Sequence, residues 1–109
     1  DAAKGAGARL TGIPVPSFPD EEKTFPELQA RVQKTIDFLS SLKPEQFEGT
    51  ESRAISFKAG GRELNFKGAE YLETFAKPNF FFHVSMAYAI LRHNGVELGK
   101  MDYLAGGKA

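Results

Sequence analysis

The chain has no cysteine and no tryptophan, and it has only two histidines. Without cysteine, disulfides and thiolate metal sites are excluded. That usage suits a cytoplasmic protein. An excess of either charge is also missing, because fourteen Lys and Arg cancel fourteen Asp and Glu with no block of like charge. Nothing in that balance favours nucleic acid or an anionic membrane surface as a partner. The apolar runs are too short to span a bilayer, and no signal-peptide pattern opens the chain. Internal repeats and low-complexity segments are absent as well.

What is present is aromatic. Ten phenylalanines and three tyrosines in 109 residues supply a small but real core for one domain. The longest apolar segment runs from Pro78 through Phe80-Phe81-Phe82-His83 to Gly95, with Pro78 and Gly95 as start and stop. Its apolar residues cover almost the whole circumference, which predicts a helix wrapped on every side.

The remaining elements follow from local pattern. Asp1 to Thr11 is rich in small residues that permit close approach of a neighbour, and Gly12 can close it as a left-handed cap. Three prolines between Ile13 and Asp20 force an extended connection, with Val15 and Phe18 expected to pin it to the core. Thr24 and Glu27 form a capping box with Pro26 in the first turn. Phe25, Leu28, Val32, Ile36, Leu39 and Leu42 then predict an amphipathic helix with one buried face, ended by Pro44. One tight turn follows, with Phe47 turned inward.

Residues 53–58 and 62–67 alternate polar and apolar around Gly60-Gly61. A two-residue turn there pairs Ala59 with Arg62, Phe57 with Leu64 and Ile55 with Phe66. All four large apolar side chains then share one face, which must dock because a lone hairpin is marginal in water. Tyr71, Leu72 and Phe75 continue at helical spacing, and Pro78 either starts the next helix or kinks a continuous one. The tail after Gly95 is expected to form one turn of helix whose apolar residues cover the bundle end.

Candidate chemistry is sparse. Asn79 and His83 are four apart and share a helix face, a spacing that suits half of a metal site. His93 lies ten residues on, about 15 Å and roughly 80° away, and cannot share an ion with His83. It suits the carbonyl end of the helix. The plain reading of His83 is a core histidine bonded to a neighbour. No Ser-His-acid set is visible, and Glu21, Glu22, Glu70 and Glu73 read as solvated faces. The phenylalanine triplet reads as core, or as the lining of an apolar pocket.

Several stretches are familiar together: Ala3-Lys4-Gly5-Ala6 with Ala8-Arg9-Leu10, Thr24-Phe25 to Leu42, Gly60-Gly61-Arg62-Glu63, and Pro78 to His83 with Ala87 to Gly95. They resemble a bacterial family of unassigned function, the domain of unknown function family numbered nineteen ninety-three. It is similar to the DinB/YfiT-like superfamily of four-helix bundles, some of whose members are thiol-dependent transferases or isomerases.

The resemblance implies a mainly α fold: a partial up-down bundle with one docked antiparallel hairpin, all of 1–109 forming a single domain. It also implies a first helix and part of a second ahead of Asp1. A chain lacking them should expose apolar surface and pair as a homodimer, or be a cleaved remnant. The superfamily metal site uses a histidine of the second helix and a His-x-x-x-His pair on the last. Matched to that pair, His83 takes the second position and Asn79 the first, where asparagine is a poor ligand for a transition metal. The expected function is therefore small-ligand binding near Asn79, His83 and Tyr88, with no cofactor. The alternatives are a DinB-like metal-dependent enzyme of transferase or hydrolase type, holding Ni, Zn or Fe through His83, and a structural or oligomerisation module.

Overall fold

The computed structural model describes residues 1–106. Five helices and one hairpin follow in order: α1 (Ala2–Thr11), α2 (Phe25–Ser41), β1 (Ala54–Ala59), β2 (Arg62–Lys67), α3 (Gly68–Tyr71), α4 (Lys77–His93) and α5 (Lys100–Ala105). Two short 3-10 turns, Pro44–Phe47 and Thr50–Ser52, link α2 to β1. Among the described residues no helix is long and apolar enough to cross a membrane.

Local signals produce local structure as expected. Gly12 caps α1 at φ 74°. Gly7, in the middle of α1, leaves room for α2, since a Cβ there would stand 2.6 Å from Leu39 Cδ2. The Thr24 hydroxyl accepts from the Glu27 N–H at 3.3 Å, and the Glu27 carboxylate accepts from the Thr24 N–H at 2.9 Å. The Lys23 N–H, also on that carboxylate at 2.7 Å, is the main reason its pKa lies below the usual value, followed by the contacts of Thr24.

A depressed carboxylate pKa gives stability that is present above the unfolded value, about 4.3, and lost as pH falls through the folded one. Glu27→Gln keeps the box but cannot titrate. The wild-type protein should exceed E27Q in urea midpoint at neutral pH, and the gap should close on acidification to about pH 2. A gap that stays constant across that range would rule the linkage out.

The hairpin has the predicted register, with Ala59 opposite Arg62, Phe57 opposite Leu64 and Ile55 opposite Phe66. Gly60 and Gly61 carry φ of 57° and 76°, the two positive angles a type I′ turn demands. Its apolar face docks on the rod that follows. Ile55, Tyr71 and Ala76 form the buried core, with Ala6, Leu10, Phe57, Phe66, Leu72 and Phe75 packed around them.

The backbone from α3 to α4 stays helical throughout. A π turn, Leu72–Ala76, joins the two. Pro78 has no N–H for the carbonyl four residues earlier, and a widened turn just before it accommodates that loss. The rod is therefore continuous, not two helices.

Five expectations about burial are corrected. No residue of α4 is buried, and Phe82 is 59% exposed. The helix is apolar all round, but this chain covers only part of its circumference. The apolar face of α2 is largely open too, Phe25 being 82% and Val32 59% exposed, while Leu39 and Leu42 at its end reach Gly7. Phe47 and Val15 are exposed, not turned inward. Met101 and Leu104 of α5 face outward, and Tyr103 ties that helix to α4, its hydroxyl 3.0 Å from Ser85 Oγ and its ring 5.7 Å from that of Tyr88.

Candidate functional site

Asn79 and His83 project from one face of α4 onto a cavity of about 440 Å³. α1 supplies Lys4, Gly5 and Arg9 to its wall, β1 supplies Phe57 and Lys58, and the π turn supplies Phe75. Phe57 and Phe75 meet edge to face at 5.1 Å and form its apolar side. Asn79 is half-buried and His83 is exposed. Among the described residues neither side chain has a hydrogen-bond partner, so the reading of His83 as a satisfied core histidine does not hold. An α4 lacking cover on this side leaves the imidazole free at the cavity mouth.

Tyr88 does not line this cavity. Five residues beyond His83 it lies about 140° further round the helix. There it packs on Tyr103 and accepts from Arg92 Nη1 at 3.4 Å. His93 ends α4 in its last turn, beside Arg92.

Two of the site's cations, Lys4 and Arg9, come from α1, where residue pattern alone assigned no role. Lys4 is only 5% exposed; its ammonium pairs with Asp1 at 3.2 Å and lies 4.3 Å from the Phe18 ring centre. Burial lowers its pKa below the usual lysine value, and the charge of Arg31 adds to this. Phe18 is held between Lys4 and Lys34, the latter at 4.2 Å, so this part of the proline-rich connection is pinned by cations.

Arg31, off the apolar stripe of α2, organises the neighbouring corner. It donates to the carbonyls of Pro19 and Phe18 at 2.9 and 3.0 Å and pairs with Asp1, Asp20 and Glu22 at 3.2, 3.0 and 3.1 Å. A lone arginine on a helix gives no sequence signal for such a hub, because its partners are set by the path of the connection.

Among the described residues the donors at the cavity do not make up a transition-metal site. Such a site needs several lone-pair donors converging. Here the cavity offers one imidazole and one amide beside the cations Lys4, Arg9 and Lys58. The Asp1 carboxylate is already engaged by Lys4 and Arg31. Among the described residues no group of three His, Asp or Glu side chains is placed to hold an ion.

A helical rod, small-residue helix and docked hairpin meeting at such a cavity define a DinB-like helical fold. The chain superposes on the crystal structure of a DinB family member from Shewanella denitrificans with a TM-score of 0.81 at 38% identity, covering 95% of this chain and 59% of that one. It belongs to the family described as Domain of unknown function (DUF1993), whose model matches residues 1–104. This chain thus spans 59% of the length of that solved relative. None of the curated proteins matches it.

Proposed function

We propose that this chain forms the ligand-facing part of a DinB-like helical protein that binds a small molecule between α1, the hairpin and α4, with no metal-dependent step. One observation carries the reading: Asn79 and His83, without a side-chain hydrogen-bond partner among the described residues, open together onto a cavity with an aromatic wall. A few convergent polar groups against an apolar surface are what a small-molecule site provides. The competing reading is a metal-dependent enzyme with His83 as ligand, and the donor set described above speaks against it. The absence of cysteine suits a cytoplasmic setting.

The test is purification without chelator, followed by metal analysis and by NMR titration with a panel of small aromatic probes. Expected is no stoichiometric Ni, Zn or Fe, and probe-induced shifts at Asn79 and His83 that Asn79→Ala weakens. Stoichiometric metal that is lost in His83→Ala would replace this reading with the enzymatic one.

A second reading, an interaction module, is favoured by the open faces of α2 and α4. Phe25, Leu28 and Val32 on one, and Phe81, Phe82 and Ile90 on the other, are too much apolar surface for a solitary chain. The partner we propose is a second copy. Light scattering should give about twice 12.0 kDa. A monodisperse species at 12.0 kDa would remove the homodimer.

A further inference from the structure

Arg9 is held in a way that no structural role in the fold exhausts. One turn earlier Gly5 leaves the space into which it folds, since a Cβ at Gly5 would stand 2.6 Å from Arg9 Nη1. The guanidinium lies 4.0 Å from the Phe57 ring centre, and Nη1 donates to the Tyr71 hydroxyl at 3.3 Å. Both of those neighbours are neutral. Among the described residues no carboxylate lies within ion-pair distance of Arg9 or of Lys58. A guanidinium has five N–H donors, and Tyr71 occupies one.

The wall of the cavity therefore carries three cations, Lys4, Arg9 and Lys58, against one carboxylate, Asp1. Lys4 and Asp1 answer each other at 3.2 Å. Lys58 stands opposite Glu63 across the hairpin, which leaves Arg9 as the cation with no ion-pair partner and a fixed orientation. Beside it Phe57 and Phe75, set edge to face, form the apolar side of the cavity.

We infer that the cavity takes a small organic carboxylate with an apolar body. The carboxylate accepts from the free edge of the Arg9 guanidinium, whose planar fork matches a planar carboxylate. The body lies along Phe57 and Phe75, and the Asn79 amide and His83 imidazole meet its polar substituents. Phosphate fits less well, because Arg9 offers a single fork and half of the wall is apolar. This inference rests on the ligand-binding reading above and names its ligand class.

The experiment is an NMR titration of the full chain with benzoate, benzyl alcohol, benzylamine and inorganic phosphate, followed at the Arg9 Nε–H, the Asn79 amide and the His83 ring. Benzoate should bind at least about tenfold more tightly than benzylamine or benzyl alcohol, the size expected of one charge-assisted hydrogen bond. Arg9→Gln should erase that preference, and Arg9→Lys should keep part of it. If Arg9→Gln does not fold, Lys58→Gln and added salt serve in its place, each expected to reduce the preference for benzoate and not the binding of benzyl alcohol. Equal binding of benzoate and benzyl alcohol at the cavity would end the carboxylate inference and leave the ligand-binding reading intact. Phosphate binding more tightly than benzoate would also end it. No shift at these residues with any of the four probes would end both.

Discussion

Tyr71→Ala is expected to lower stability by about 4 kcal/mol, the range for truncating a large buried aromatic side chain. Tyr71 is the one large side chain wholly buried among the described residues, at 1% exposure. Its ring meets Phe57, Phe66 and Phe75 at 5.7, 5.9 and 5.8 Å, and these pairs tie the hairpin to the rod. Removing it would leave a cavity on three sides of which the walls come from different elements, so collapse cannot refill it. Tyr71→Phe keeps the ring and loses only the acceptor for Arg9, which should cost about 1 kcal/mol. Urea unfolding of the two variants followed by circular dichroism separates ring from hydroxyl. Similar midpoints for Tyr71→Ala and Tyr71→Phe would mean that the ring cluster does not hold the hairpin.

Gly68→Ala is expected to cost about 3 kcal/mol, the upper part of the range for overpacking. A Cβ at Gly68 would stand 1.9 Å from the carbonyl oxygen of Thr50. That oxygen is backbone and cannot rotate away. Thr50 is itself buried, and its hydroxyl donates to the Phe47 carbonyl at 2.8 Å. The link from α2 to β1 would have to move off the start of α3. Gly60→Ala is the comparison, because a Cβ there meets nothing within 4 Å and only the positive φ of 57° resists it. Its cost should be about 1–2 kcal/mol. If Gly60→Ala proved the more damaging in urea unfolding, the tight crossing at Gly68 would not be a determinant of the fold.

These two positions differ in how far they could be read in advance. Gly60-Gly61 sits between two alternating runs, and a hairpin's register follows from its turn, so the pairing of Ile55 with Phe66 was legible. Gly68 looks like any glycine ahead of a helix. Its constraint comes from Thr50, eighteen residues away, through a crossing that no local pattern records.

The candidate site divides in the same manner. Asn79 and His83 were legible as a pair because helical spacing alone puts them on one face. Tyr88 was grouped with them by proximity in sequence, yet helical rotation takes it to Tyr103. Lys4 and Arg9 were invisible as site residues. Their charges reach the cavity only because the small-residue face of α1 lets it pack closely beside the hairpin and α4. The exposure of α2 and α4 departs from their apolar pattern for a related reason. An apolar stripe states that a face wants cover, and it does not state whether the same chain supplies it.

What the amino-acid order determined by itself is the set of elements and most of their ends: the capping box at Thr24, the left-handed close at Gly12, the turn at Gly60-Gly61 and the stop of α4 ahead of Gly95. Each is a matter of backbone hydrogen bonds and angles between residues a few positions apart. The tertiary structure decided which apolar faces meet, where Arg31 finds its carboxylates, and that two cations of the first helix stand beside a histidine of the fourth. Those are contacts between distant segments, and they follow from how whole surfaces fit together.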